Sequence, residues 1–91
     1  MQDLPILITP SETRAVKPKG KKWQLEELQS LVEGYIQIIN LGHGRVAVVN
    51  EEGKLRRLPF NEQATFIYRA STGSVDYLCG NVLITPNYSI E

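Results

Sequence analysis

The chain has little sulfur and little imidazole: one Cys and one His in 91 residues. No disulfide framework can form within it, and no zinc site can be assembled from its own Cys and His. Neither charge sign is in excess, since ten Lys and Arg offset ten Asp and Glu. Net charge therefore points to neither a nucleic-acid nor a membrane partner. No apolar run approaches the ~18 residues of a spanning helix. The opening Met1–Ile8 lacks a basic n-region, and its apolar run is too short for a signal peptide. Internal repeats and linkers are also missing. Together these absences give a single non-membrane domain over residues 1–91, with the reducing cytoplasm as its expected compartment and Cys79 as a lone thiol.

What remains is an ordinary globular composition, 42% hydrophobic and 22% charged. Leu4–Thr9 reads as a short strand, closed by Pro10, with Thr13–Val16 returning as the second arm of a hairpin. Lys17–Lys22 carries four lysines with Pro18 and Gly20, and reads as an exposed loop. In Gln24–Glu33 the apolar residues Leu25, Leu28, Leu31 and Val32 fall on one helical stripe. Glu26 and Glu27 suit its first turn, no ordinary N-cap residue precedes it, and Gly34 is placed to end it as the left-handed residue.

Tyr35–Leu41 and Arg45–Asn50 predict a hairpin around Gly42-His43-Gly44, with apolar residues on both faces of each strand, as in central strands. Lys54–Leu58 reads as extended up to Pro59. Asn61 can then cap a helix over 62–69, although Thr65–Tyr68 is also good strand sequence. Val75–Thr85 is the last β-region. Gly80-Asn81 within it is either a hairpin turn or a bulge, and the short halves favour a bulge. Residues 86–91 read as a tail.

These elements predict an α+β fold. A mainly antiparallel sheet of four to six strands is covered by the main helix 24–33, with a short second helix, 62–69, at an end or edge. Leu28, Leu31, Ile36, Ile38, Val46, Val48, Leu83 and Ile84 form the expected core.

No catalytic set emerges. His43 lies between two glycines at a hairpin tip. Cys79 sits in an apolar run. Glu26-Glu27 and Glu51-Glu52 are adjacent pairs that share neither a helix face nor a strand face. The chain is expected to be non-enzymatic, without cofactor or metal. Two basic clusters remain. Arg56 and Arg57, with Asn61, Arg69 and Arg45, could form an anion pocket beside a helix N-terminus. Lys19, Lys21 and Lys22 with Trp23 form a second basic and aromatic patch. The competing readings are ion pairs to Glu51, Glu52 or Glu62 for the first, and a solvated loop with Trp23 packed over the helix for the second.

Three blocks carry a resemblance. Leu25–Ile36 (LEELQSLVEGYI) is similar to a pattern LEELQ…VGGYIE. Val48–Leu55 with Leu58–Asn61 is similar to VNEEGKL…LPxN, and Gly80–Ile84 to GTFLI. These blocks belong to a domain-of-unknown-function family spread through bacteria and their phages, and the resemblance covers residues 24–85. The chain departs from the pattern at Glu33, where a second glycine is usual, at Gln37, and at Arg56 and Arg57. Residues 1–22 match in layout alone. The resemblance implies a phage or mobile-element accessory protein in the bacterial cytoplasm, without naming a ligand. The expected function is a small non-catalytic binding protein that captures a nucleotide-like anion or counters a host defence protein. The alternative is a protein-interaction or oligomerisation module without a small ligand. A homodimer or larger assembly is expected from uncovered edges at Leu4–Thr9 and Val82–Thr85.

Overall fold

The computed structural model describes residues 4–91. Met1–Asp3, on which part of the signal-peptide argument rests, lie outside the described residues. The helical stripe forms α1, Leu25–Val32, whose Leu28 and Val32 are buried. Strands β1 (Ile6–Ile8) and β2 (Thr13–Ala15) form the N-terminal hairpin, and β3 (Ile36–Gly42) and β4 (Arg45–Asn50) the central one. Helix α2 (Glu62–Thr72) and strand β5 (Val82–Pro86) complete the fold, followed by a 3-10 turn at Asn87–Ser89. The five strands make one antiparallel sheet in the order β2-β1-β5-β4-β3. The fold is α+β, as the sequence pattern predicts.

Strand alternation divides the core in two. Leu7, Val48 and Leu83 point to one face and pack with Trp23, Leu28 and Val32. Ile8, Ala47, Val49, Val82 and Ile84 point to the other and pack with Ala64 and Leu78. Helix α1 therefore covers one face and α2 the opposite one. The second helix packs on this face at the side of the edge strand β3, and it runs on to Thr72 before Gly73, at φ 75°, ends it. With both faces covered, β4 is buried from Val46 to Asn50. A run of apolar residues on both faces suits such a position.

Several expectations need correction. β3 is an edge strand despite its isoleucines, because it pairs with β4 alone, and Ile38 is 46% exposed rather than core. Leu31 and Ile36 are only partly buried. The left-handed residue ending α1 is Glu33, at φ 65°, one position before Gly34. Residues 51–57 are turns, not a strand: the Arg56 N–H bonds to the Glu52 carbonyl and the Arg57 N–H to that of Lys54. Val75–Cys79 belongs to no strand of the sheet; Cys79 makes an isolated bridge to Phe60, and β5 begins after Gly80. Gly80 is thus a bend before a strand rather than a bulge within one. The expected uncovered edges, β1 and β5, are interior strands.

The tail is tied down. Trp23 N–H donates to the Ser89 carbonyl at 2.7 Å, and Glu91 N–H to the Trp23 carbonyl at 3.1 Å. Trp23 Nε1 reaches Thr85 Oγ1 at 3.2 Å, and Thr85 and Ser89 hydroxyls meet at 2.7 Å. Burial of these hydroxyls is tolerable because each has a partner.

Candidate functional site

The expected anion pocket disperses. Arg56 Nη1 donates to the Glu33 carbonyl at 2.8 Å, at the C-terminal end of α1. Arg57 is exposed in the left-handed region, at φ 56°. Arg69 leaves the far end of α2 and donates from Nε to the Asp76 carbonyl and from Nη2 to that of Val75. Arg45 begins β4 at the hairpin tip, opposite Gly42 and Pro86. None of the four makes an ion pair among the described residues, where the pairs are Arg14–Glu12 and Lys54–Asp76. The expected partnering of Arg56 and Arg57 with Glu51, Glu52 or Glu62 is therefore absent among the described residues, and one cleft is lined by Arg56 and another by Arg69, neither of them by a second arginine of the set.

Asn61 is fully buried and fully used. Its Oδ1 accepts from Ala64 N–H at 3.1 Å, capping α2. Its Nδ2 donates to the Ile8 carbonyl at 2.9 Å and the Gly80 carbonyl at 2.8 Å. No donor remains for a ligand. Trp23, 3% exposed, offers no stacking face, so Lys19, Lys21 and Lys22 are a solvated loop beside a core residue. A constraint on that loop does exist: the Glu27 carboxylate accepts from the N–H groups of Gln24 (3.0 Å) and Lys19 (2.9 Å). These two bonds, Gln24 first, hold its pKa below the ordinary glutamate value. Glu27 thereby supplies the helix start that no N-cap side chain provides.

The motif blocks turn out to interlock. Gly80 N–H donates to the Pro59 carbonyl at 2.7 Å, and a Cβ on Gly80 would come within 2.8 Å of Leu58 Cδ1. Thus Leu58–Asn61 and Gly80–Ile84 are held together through one glycine and one asparagine. Asn50, which sequence reasoning overlooked, performs a similar service. Buried in β4, it donates from Nδ2 to the Val32 carbonyl at 3.0 Å and accepts on Oδ1 from Glu52 N–H at 2.8 Å. A Cβ on Gly34 would meet this Nδ2 at 2.7 Å and Arg56 Nη1 at 2.8 Å. The blocks interlock to build the fold.

A cleft of about 520 Å³ lies beside β3 on the α2 side, lined by Gln37, Ile39, Glu51, Glu52, Tyr68 and Tyr77 among others. Cys79 borders it and is half-buried. Lys54 also lines it, but its ammonium pairs with Asp76 and stands 4.4 Å from the Tyr77 ring centroid. That contact raises the Lys54 pKa and lowers that of Asp76. Three carboxylates against one engaged ammonium make the cleft unsuited to an anion. His43 is an exposed left-handed turn residue at φ 55°. Among the described residues, no three His, Cys, Asp or Glu side chains are grouped closely enough to hold a metal, and no helix is long and apolar enough to cross a membrane.

The remaining feature is β3 itself. Its Tyr35 end points a carbonyl inward, accepting from Glu51 N–H at 2.8 Å. Antiparallel alternation then turns the N–H and C=O groups of Ile36, Ile38 and Asn40 away from β4, where no strand among the described residues pairs with them. The strand has seven residues, none charged and none proline. The opposite edge, β2, has three residues with Arg14 at its centre. Short, charged edges resist further pairing, and long uncharged ones invite it.

The family model described as Domain of unknown function (DUF3846) matches residues 5–89, and the chain belongs to that family. The match takes in the N-terminal hairpin and most of the C-terminal segment as well as the interlocking blocks. No curated protein and no solved structure matches the chain.

Proposed function

We propose that this member of the DUF3846 family is a non-catalytic protein-interaction and oligomerisation module that works by adding a strand at β3. The carrying observation is the seven-residue uncharged edge with outward backbone groups at Ile36, Ile38 and Asn40. Strand addition draws affinity from main-chain hydrogen bonds and needs no special side chain. That agrees with a chain whose polar motif residues, Asn50 and Asn61, are spent on internal bonds. The nucleotide-like ligand has lost its support, since Arg45, Arg56, Arg57 and Arg69 do not converge. In the phage or mobile-element setting that the resemblance implies, the module acts in the bacterial cytoplasm, where host defence proteins are within its reach.

A thermal-shift screen with nucleotides and cyclic nucleotides tests this reading against its rival. A ligand present at about 100 times its Kd adds about 2.7 kcal/mol to the folded state. The expected outcome is no stabilisation by any nucleotide. A saturable shift that survives replacement of Ile38 with Lys would overturn the reading.

A further inference from the structure

We infer that the occupant of the β3 edge is a second copy of the same chain, paired antiparallel about a two-fold axis at Ile38. This rests on the strand-addition reading above and names its partner. Three observations favour a copy over a foreign segment.

The first is geometric. A two-fold axis normal to the sheet keeps each residue on its own face, and the outward backbone groups belong to Ile36, Ile38 and Asn40. Pairing Ile38 with the partner subunit's Ile38 matches outward groups with outward groups along the strand. The sheet then runs unbroken through both copies, and the unpaired edge disappears.

The second is apolar. Ile38 is 46% exposed and Tyr35 64% exposed, whereas the paired strand β4 is buried from Val46 to Asn50. Centring on Ile38 brings the two Ile38 side chains together on the α1 face. Exposed apolar residues flanking an open edge are the side-chain area that backbone pairing alone lacks.

The third is electrostatic. The start of β3 has a net negative charge: Glu33 lies two residues before Tyr35 and Glu51 is bonded to Tyr35 across the hairpin, against one cation, Arg56, at the Glu33 carbonyl. Neither carboxylate is in an ion pair among the described residues. The other end of the strand is the hairpin tip, where Arg45 is the cation. Antiparallel self-pairing sets the acidic start of each copy beside the basic tip of the other. A parallel arrangement would put like charges together. Complementary charges fix register and suppress wrong pairings more than they add affinity.

The test uses the full chain. Light scattering at tens of micromolar should return twice the 10.3 kDa monomer mass. Ile38→Lys should return the monomer mass with an unchanged far-ultraviolet spectrum, because an edge lysine blocks pairing without disturbing β4. If that variant misfolds, a second measurement stands alone. Ile38→Cys in a Cys79→Ser background should form an intermolecular disulfide under mild oxidation, since symmetric residues at the axis lie within bridging distance. Arg14→Cys, on the β2 edge, should not. A wild-type monomer at all concentrations overturns the inference but leaves strand addition by another protein standing. Cross-linking at Arg14→Cys in place of Ile38→Cys overturns both, because assembly would then use the other edge.

Discussion

Arg56 Nη1 donates to the carbonyl oxygen of Glu33 at 2.8 Å. This contact turns the most promising anion ligand of the sequence into a cap for the C-terminal end of α1. The carbonyls there have no partner within the helix, and a cation near them also favours the helix dipole. Asn50 serves the neighbouring Val32 carbonyl from below. The two side chains close over Gly34, which leaves space for both only because it lacks a Cβ.

Arg56→Ala should therefore act on stability rather than on ligand affinity. The bond is exposed, so the expected loss is about 1 kcal/mol in urea unfolding. Binding of inorganic phosphate or nucleotides, followed by calorimetry, should not differ between wild type and variant.

Asn61→Ala should be far more costly. It leaves the Ile8 and Gly80 carbonyls without their donor and removes the α2 cap. One unsatisfied buried group costs about 1–3 kcal/mol and a lost cap about 1, so roughly 3 kcal/mol or more is expected. Asn61→Asp keeps the cap but turns a carboxylate oxygen toward two carbonyls, and should be as damaging. Equilibrium denaturation of the two variants checks both statements.

Leu28→Ala should cost about 2–5 kcal/mol, since Leu28 is 2% exposed among Leu7, Val48 and Leu83. A loss below about 1 kcal/mol in the same assay would mean that α1 is not anchored on this face of the sheet.

Acid should loosen the start of α1. Glu27 has a lowered pKa from its bonds to the Gln24 and Lys19 N–H groups. A depressed carboxylate contributes stability that is present above its unfolded value and lost as pH falls through its folded value. Stability should decline below the ordinary glutamate range, and Glu27→Gln should flatten that decline. At the alkaline end Lys54, raised chiefly by Asp76, contributes stability below the unfolded lysine value. That contribution is lost as pH rises through the higher folded value. Urea midpoints across the pH range, for wild type and Glu27→Gln, measure the acid limb.

The legible parts of the fold were those fixed by local chemistry. The α1 stripe, the Gly42-His43-Gly44 hairpin and the Asn61 cap each follow from spacing or from one residue's conformational preference. The misread parts were fixed by distant partners. Thr65 Oγ1 accepts from Leu78 N–H at 2.9 Å, which holds Val75–Cys79 against α2 rather than in the sheet. The terminal segment is ordered by Trp23, some sixty positions away. Ile-rich β3 looked central because hydrophobicity alone does not distinguish a strand covered by a neighbour from one waiting for a partner. The arginines looked convergent because sequence proximity says nothing about direction: Arg56 turns back to α1, while Arg57 adopts a left-handed backbone.

Amide hydrogen exchange at assigned β3 positions tests the central claim most directly. The outward N–H groups of Ile36 and Ile38 should exchange quickly in dilute solution and slow progressively as concentration rises. Amides of β2 should show no such dependence. Ile36 and Ile38 amides that exchange freely at every concentration, beside β2 amides that become protected, would contradict the account.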